Sequence, residues 1–144
     1  MFVDSGQISK FGTWTDDTAL ARNLWRSLLA HGARLIFGSD APFDRAGPLL
    51  AIQSALLRRT GEDPVSTAFH PEQRIGLAAA LRAHLEDPHR AAGWTVRRGR
   101  LAAGYGADLA HFDHDLLATP VERWHRAKVR GVWLDGERVF GRSR

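Results

Sequence analysis

Leu35-Ile36-Phe37-Gly38-Ser39-Asp40-Ala41-Pro42 is an apolar run that ends in a carboxylate and is stopped by a proline. A helix is predicted before it. Leu20, Leu24, Trp25, Leu28 and Leu29 recur at intervals of three and four residues, Thr15 or Asp16 stands at the N-cap, and Gly32 ends the pattern. The run from Arg34 to Gly38 is apolar enough to be covered on both faces, as parallel strands are. Helix, short turn and buried strand make one α/β unit. A strand that delivers an Asp at its C-terminal tip is how many α/β enzymes place a catalytic acid or metal ligand. Asp next to Ala-Pro is equally a turn signal, because Asp is favoured in turns and the residue before proline is held extended. Spacing alone leaves these two readings of Asp40 level.

Beyond Pro42, a loop with Asp44, Gly47 and Pro48 leads to a second helix. Leu49, Leu50, Ile52, Gln53, Leu56 and Leu57 supply its apolar face up to Arg59, and Gly61 closes it. Gly61 to Pro71 is rich in turn formers, Ala78 to Leu85 returns to helical spacing with good helix formers, and Pro88 starts a short turn of helix that ends at Gly93. From Trp94 the period changes. Val96, Leu101, 108–112, 129–134 and 138–140 read as short strands, and Asp135-Gly136 is a type I′ hairpin signal. The chain therefore divides near Ala91 to Gly93 into an α/β part, 1–93, and a small β module, 94–144.

Composition narrows the function classes. Apolar content of 44% and charged content of 25% are those of an ordinary soluble globular protein. With no cysteine, neither a disulfide framework nor a thiolate metal site can form. No apolar run approaches the ~20 residues of a membrane span and the N-terminus has no signal-peptide profile, so no membrane partner is expected and the default location is cytoplasmic. The net charge of +4 rests on 18 Arg and 2 Lys mixed with acidic residues, which reads as a solvated surface. Arg97-Arg98-Gly99-Arg100 is the one dense basic cluster, and without interleaved aromatics it gives bases nothing to stack on, so no nucleic acid is expected.

Four segments, taken in order, resemble the C-terminal portion of the amidohydrolase superfamily, specifically amidohydrolase family 3. They are Trp25-Arg26-Ser27-Leu28-Leu29 with His31-Gly32-Ala33-Arg34 running into Phe37-Gly38-Ser39-Asp40-Ala41-Pro42; Phe69-His70-Pro71-Glu72-Gln73-Arg74-Ile75 with Ala78-Ala79-Ala80-Leu81; 99–109, with its Gly106-Ala107-Asp108-Leu109; and the closing hairpin 132–140. The resemblance implies a TIM-like (β/α)8 barrel followed by a small β module, with 1–93 the last barrel strand and its helices and 94–144 part of a composite β-sandwich. It also implies a hydrolase that cuts carbon–nitrogen bonds other than peptide bonds in a small-molecule substrate, by water activated on a divalent metal, most readily zinc. Asp40 would then be both metal ligand and general base.

The departures matter as much. A full barrel needs ~250 residues, and the family's His-x-His, bridging carboxylate or modified Lys and two further His ligands belong upstream of Asp40, where His31 is the one histidine. The expectation is a fragment or split product, inactive and metal-free by itself, since one carboxylate cannot hold a metal that wants three or four protein ligands. The alternative is a non-catalytic module that complements a separate N-terminal amidohydrolase chain. Either way the β module lacks the strands that cover it in the family, so an exposed apolar face or sheet edge is expected.

The other candidates read as structural. Ser39 lacks the second Gly and the His base of a nucleophile elbow. His111, Asp113, His114 and Asp115 form the densest metal-like cluster, but alternation on a strand points His114 away from His111 and Asp113. His70, His84, His89 and His125 each stand alone. Trp25, Trp94, Trp124 and Trp133 fit core packing, with Trp14 unassigned. Gly99, Gly104 and Gly106 lack the strand and helix of a phosphate loop and suit tight turns.

Overall fold

The helices begin and end where backbone chemistry requires. In the computed structural model, which describes residues 24–39, 41–42, 46–59, 67–95 and 97–141, α1 is Trp25–Ala30 and α2 is Pro48–Leu57. Pro48 opens α2 because a first-turn residue needs no N–H partner, and Arg58 ends it in the left-handed region at φ 59°. Helix α2 is buried almost all round, from Ala51 through Ala55. The first turn of α1 is satisfied from a distance: the Gln73 side-chain oxygen accepts the Ser27 N–H at 3.1 Å, while the Gln73 amide donates to Ser27 Oγ at 3.0 Å. A 3-10 turn, Pro71–Gln73, carries that glutamine.

Helices α3, Leu77–Leu85, and α4, Asp87–Ala91, follow with one residue between them. Ala80 and Ala83 give α3 a small-residue stripe that is fully buried. In α4 the acidic Asp87 stands in the first turn and His89 and Arg90 in the last, the order that suits the helix dipole. The core joins Trp25, Leu35, Phe37, Ile52, Ala55, Ile75, Ala80 and Ala83 with Trp124, which arrives on a 3-10 helix, Val121–Arg126, packed against α2. Gln53 fixes that contact by donating to the Glu122 carbonyl at 3.0 Å.

A three-stranded antiparallel sheet, β1 Leu109–Phe112, β2 Val129–Leu134 and β3 Glu137–Phe140, lies in the order β1-β2-β3. Asp135 and Gly136 turn β2 into β3 with φ of 50° and 85°, the two positive angles of the predicted hairpin. A Cβ on Gly131 in β2 would sit 2.7 Å from the Trp133 ring and oblige it to shift, and the Arg138 guanidinium lies over that ring at 5.2 Å.

Several expectations change. Arg34–Gly38 is extended but not a ladder strand, since no described strand lies alongside it; Phe37 N–H donates instead to the Ala83 carbonyl of α3 at 2.8 Å. Leu101 sits in a bend, not a strand, and is almost wholly exposed. Trp94 is 60% exposed and so is no core residue. The Thr15 or Asp16 cap, Leu20, Trp14, Asp44, Gly61 and Val96 lie outside the described residues. The chain thus combines α-helices with an antiparallel sheet. The expected uncovered surface is present on that sheet, where Leu109, Val129, Leu134, Val139 and Phe140 are all exposed.

Candidate functional site

Two buried side chains aim the segment that leads to Asp40. Leu35 and Phe37 point into the core, and the Phe37 ring lies 5.5 Å from Trp25 in a tilted contact. Pinned there, the backbone emerges through Gly38 and Ser39, where Ser39 Oγ accepts the Ala41 N–H at 3.4 Å. The Ala41–Pro42 peptide is cis. Asp40 itself lies outside the described residues, flanked by this turn.

Behind the segment the core carries a cation that sequence reading missed. Arg58 is fully buried between two rings, with its guanidinium carbon 4.2 Å from the Trp25 ring centroid and 5.7 Å from that of Phe69. Its Nε donates to the Phe69 carbonyl at 3.0 Å, yet Nη1 and Nη2 have no acceptor among the described residues. Burial pulls its pKa down to about 10, against the opposing field of Glu72. Trp25 Nε1 and Ser54 Oγ are also buried without described partners. Arg58-Arg59 looks in the sequence like a solvated helix end. Only the left-handed turn at Arg58, which folds the side chain inward, shows otherwise.

Several histidines make local contacts, while His84 Nδ1 is buried without a partner among the described residues. His70 pairs with Glu72 at 3.0 Å, and the Glu72 carboxyl is held below its usual range first by its own backbone N–H and then by His70. His125 bonds the Gln53 side-chain oxygen at 3.3 Å, and His84 is pushed toward neutrality by burial. In the 111–115 cluster, Asp113 accepts the Lys128 N–H at 3.0 Å and pairs with His114 at 2.7 Å, while Asp115 accepts the Leu117 N–H at 2.8 Å. Those carboxylates brace turns. Among the described residues no three His, Asp or Glu side chains gather as a metal would need, so these residues do not fit a metal centre of their own.

The basic cluster is divided by the fold. Arg98 pairs with both Asp108 and Asp135, and those hydrogen bonds raise its pKa and lower that of Asp108. Arg100 Nε donates to Glu86 at 2.6 Å, and Arg90 holds the other oxygen of the same carboxylate at 2.7 Å. The hydrogen bond from Arg100 is the main reason the Glu86 carboxyl lies below its usual range. Between these clusters the loop presses onto α3 so closely that a Cβ on Gly99 would lie 2.2 Å from the Leu85 carbonyl oxygen.

The comparisons bear on the same segments. A family model described as "Amidohydrolase family" matches residues 7–140. A curated protein of Bacillus subtilis (strain 168), "Putative amidohydrolase YtcJ", is 27% identical over 136 residues, which cover 94% of this chain and 25% of that protein. The chain therefore spans about a quarter of the length of the relative it matches. No solved structure matches it.

Proposed function

The chain belongs to the amidohydrolase family, and from that premise we propose that it is the C-terminal part of a hydrolase acting on carbon–nitrogen bonds other than peptide bonds. The observation that carries this reading is the family match running through Phe37-Gly38-Ser39-Asp40-Ala41-Pro42, a phrase held by the buried pair Leu35 and Phe37. In the whole enzyme Asp40 would supply one carboxylate to the centre and take a proton from the attacking water, a task suited to a carboxylate. A divalent metal, with zinc the first candidate, would activate that water. Its remaining ligands come from polypeptide other than the described residues, which hold no such set.

The test is reconstitution. The 144-residue chain is mixed with a separately produced segment corresponding to the other three quarters of the relative's length, and the mixture is assayed with zinc on a panel of amides and cyclic amides. Hydrolysis is expected from the mixture and not from the chain alone. Asp40→Asn should lower it by about 10²-fold or more. A reconstituted enzyme whose hydrolysis is unchanged by Asp40→Asn would overturn the role of Asp40.

A second reading is favoured by the uncovered sheet. The chain is then a non-catalytic module whose Leu134, Val139 and Phe140 surface docks onto a chain carrying the rest of a barrel. Stoichiometric association without any hydrolytic activity distinguishes this from the first.

A further inference from the structure

A cleft of about 350 Å3 opens where α4 meets the loop that leads to the sheet, and none of the described residues of the segment 34–42 lines it. Three of its charged lining residues, Glu86, Arg90 and Arg98, are already paired. Glu86 is shared by Arg90 and Arg100, and Arg98 is held between Asp108 and Asp135. Arg97 lines the cleft too, and among the described residues it has no carboxylate partner, so its guanidinium fork is available to a ligand.

The aromatic side of the cleft is equally open. Gly93, at φ 68°, turns the chain out of α4 and sets Trp94 at the rim, where the His89 ring packs on the indole at 5.0 Å and most of the residue remains exposed. Tyr105 lines the same cleft. Trp94, His89 and Arg98 also border an adjoining hollow of about 730 Å3 that reaches the exposed Leu134. An exposed indole next to a guanidinium without a carboxylate is a pairing that favours one kind of molecule: a flat apolar ring to lie on the indole and a planar anion to engage the fork.

We propose that this cleft binds a small aromatic carboxylate, its ring on Trp94 and its carboxylate on Arg97. One available cation calls for one negative charge, and the size of the cleft is that of small-molecule pockets generally. The neighbouring ion pairs brace the walls, and Gly99 seats its loop against α3. The proposal is independent of whether Asp40 is catalytic.

The experiment titrates the 144-residue chain with 2-naphthoate, following heat and the Trp94 indole N–H resonance, with 2-naphthalenemethanol as the neutral analogue of the same shape. Saturable one-to-one binding is expected, with the alcohol weaker by at least about tenfold, since it lacks the charge-assisted pair. Arg97→Leu and Trp94→Ala should each weaken the acid by about tenfold or more, and Arg97→Lys, which keeps the charge but not the fork, should fall between. Equal binding of acid and alcohol by the unmodified chain overturns the proposal, whatever the variants do. So does a Trp94 resonance that never moves, or affinity that survives both Arg97→Leu and Trp94→Ala.

Discussion

The helical part and the sheet of this molecule use apolar residues in opposite ways. Among the described residues, every buried apolar side chain except Trp124 lies before residue 94, while every large exposed one except Leu28 and Leu85 lies at or after it. The helices bury their faces on one another and on the extended segment that leads to Asp40. Among the described residues the sheet has neither a second sheet nor a helix layer over its exposed apolar side chains, and three strands of that kind rely on an external cover or on attachment to a folded neighbour. The difference teaches that the sheet is held by its attachment: by Trp124 reaching back into the core, and by the Glu86, Arg90 and Arg100 cluster beside Gly99.

That contrast can be broken most severely at its bridge. Trp124→Ala should cost about 3–5 kcal/mol, as should Trp25→Ala, because each empties a large fully packed site. Chemical denaturation that shows an equal loss for both, in one transition, would establish that one core serves both parts. Gly99→Ala comes next, at about 2 kcal/mol or more, since it adds a Cβ against backbone at a positive φ. Its expected signature is loss of sheet protection in hydrogen exchange with the helices retained.

Arg58→Met tests a costly feature of the better-packed part, a buried guanidinium with two nitrogens unpartnered among the described residues. Replacing a buried, half-satisfied cation by an apolar side chain of similar length should raise stability by about 1–2 kcal/mol, read as a higher denaturation midpoint. A fall of that size would show the guanidinium to be held by an acceptor.

Acid should loosen the attachment. The Glu86 carboxyl is depressed by Arg100 and then by Arg90, so its folded pKa lies below its unfolded one. Its contribution is present above the ordinary carboxylate pKa of about 4.3 and is lost as pH falls below that value toward the folded pKa. Glu86→Gln should flatten this part of the stability profile. The smallest effects belong to the sheet surface: Phe140→Lys or Leu134→Lys should shift stability by no more than about 0.5 kcal/mol while raising solubility measurably.

What the sequence disclosed follows from how local each signal is. The helices at Pro48, Leu77 and Asp87 and the hairpin at Asp135-Gly136 are written in neighbouring residues, and they stand within a residue or two of where periodicity puts them. The segment 34–38 reads as a strand from its own composition, but pairing is a property of neighbours, and none of the described residues supplies one. Arg58 was opaque because its burial depends on Trp25 and Phe69, which are far off in sequence. Trp94 and Tyr105 likewise join the basic cluster only through folding, which is why that cluster looks bare of aromatics when read along the chain. The family resemblance was legible from four short phrases, and the match over residues 7–140 agrees with it.

The sheet order leaves both outer strands, β1 and β3, without a described neighbour. A protein with one such border can pair once and stop; with two, each newcomer presents a fresh border to the next. Where copies of this chain pair through both borders, the expected products at high concentration are linear stacks rather than discrete dimers. A lysine placed on the outward side of either border would cap their growth.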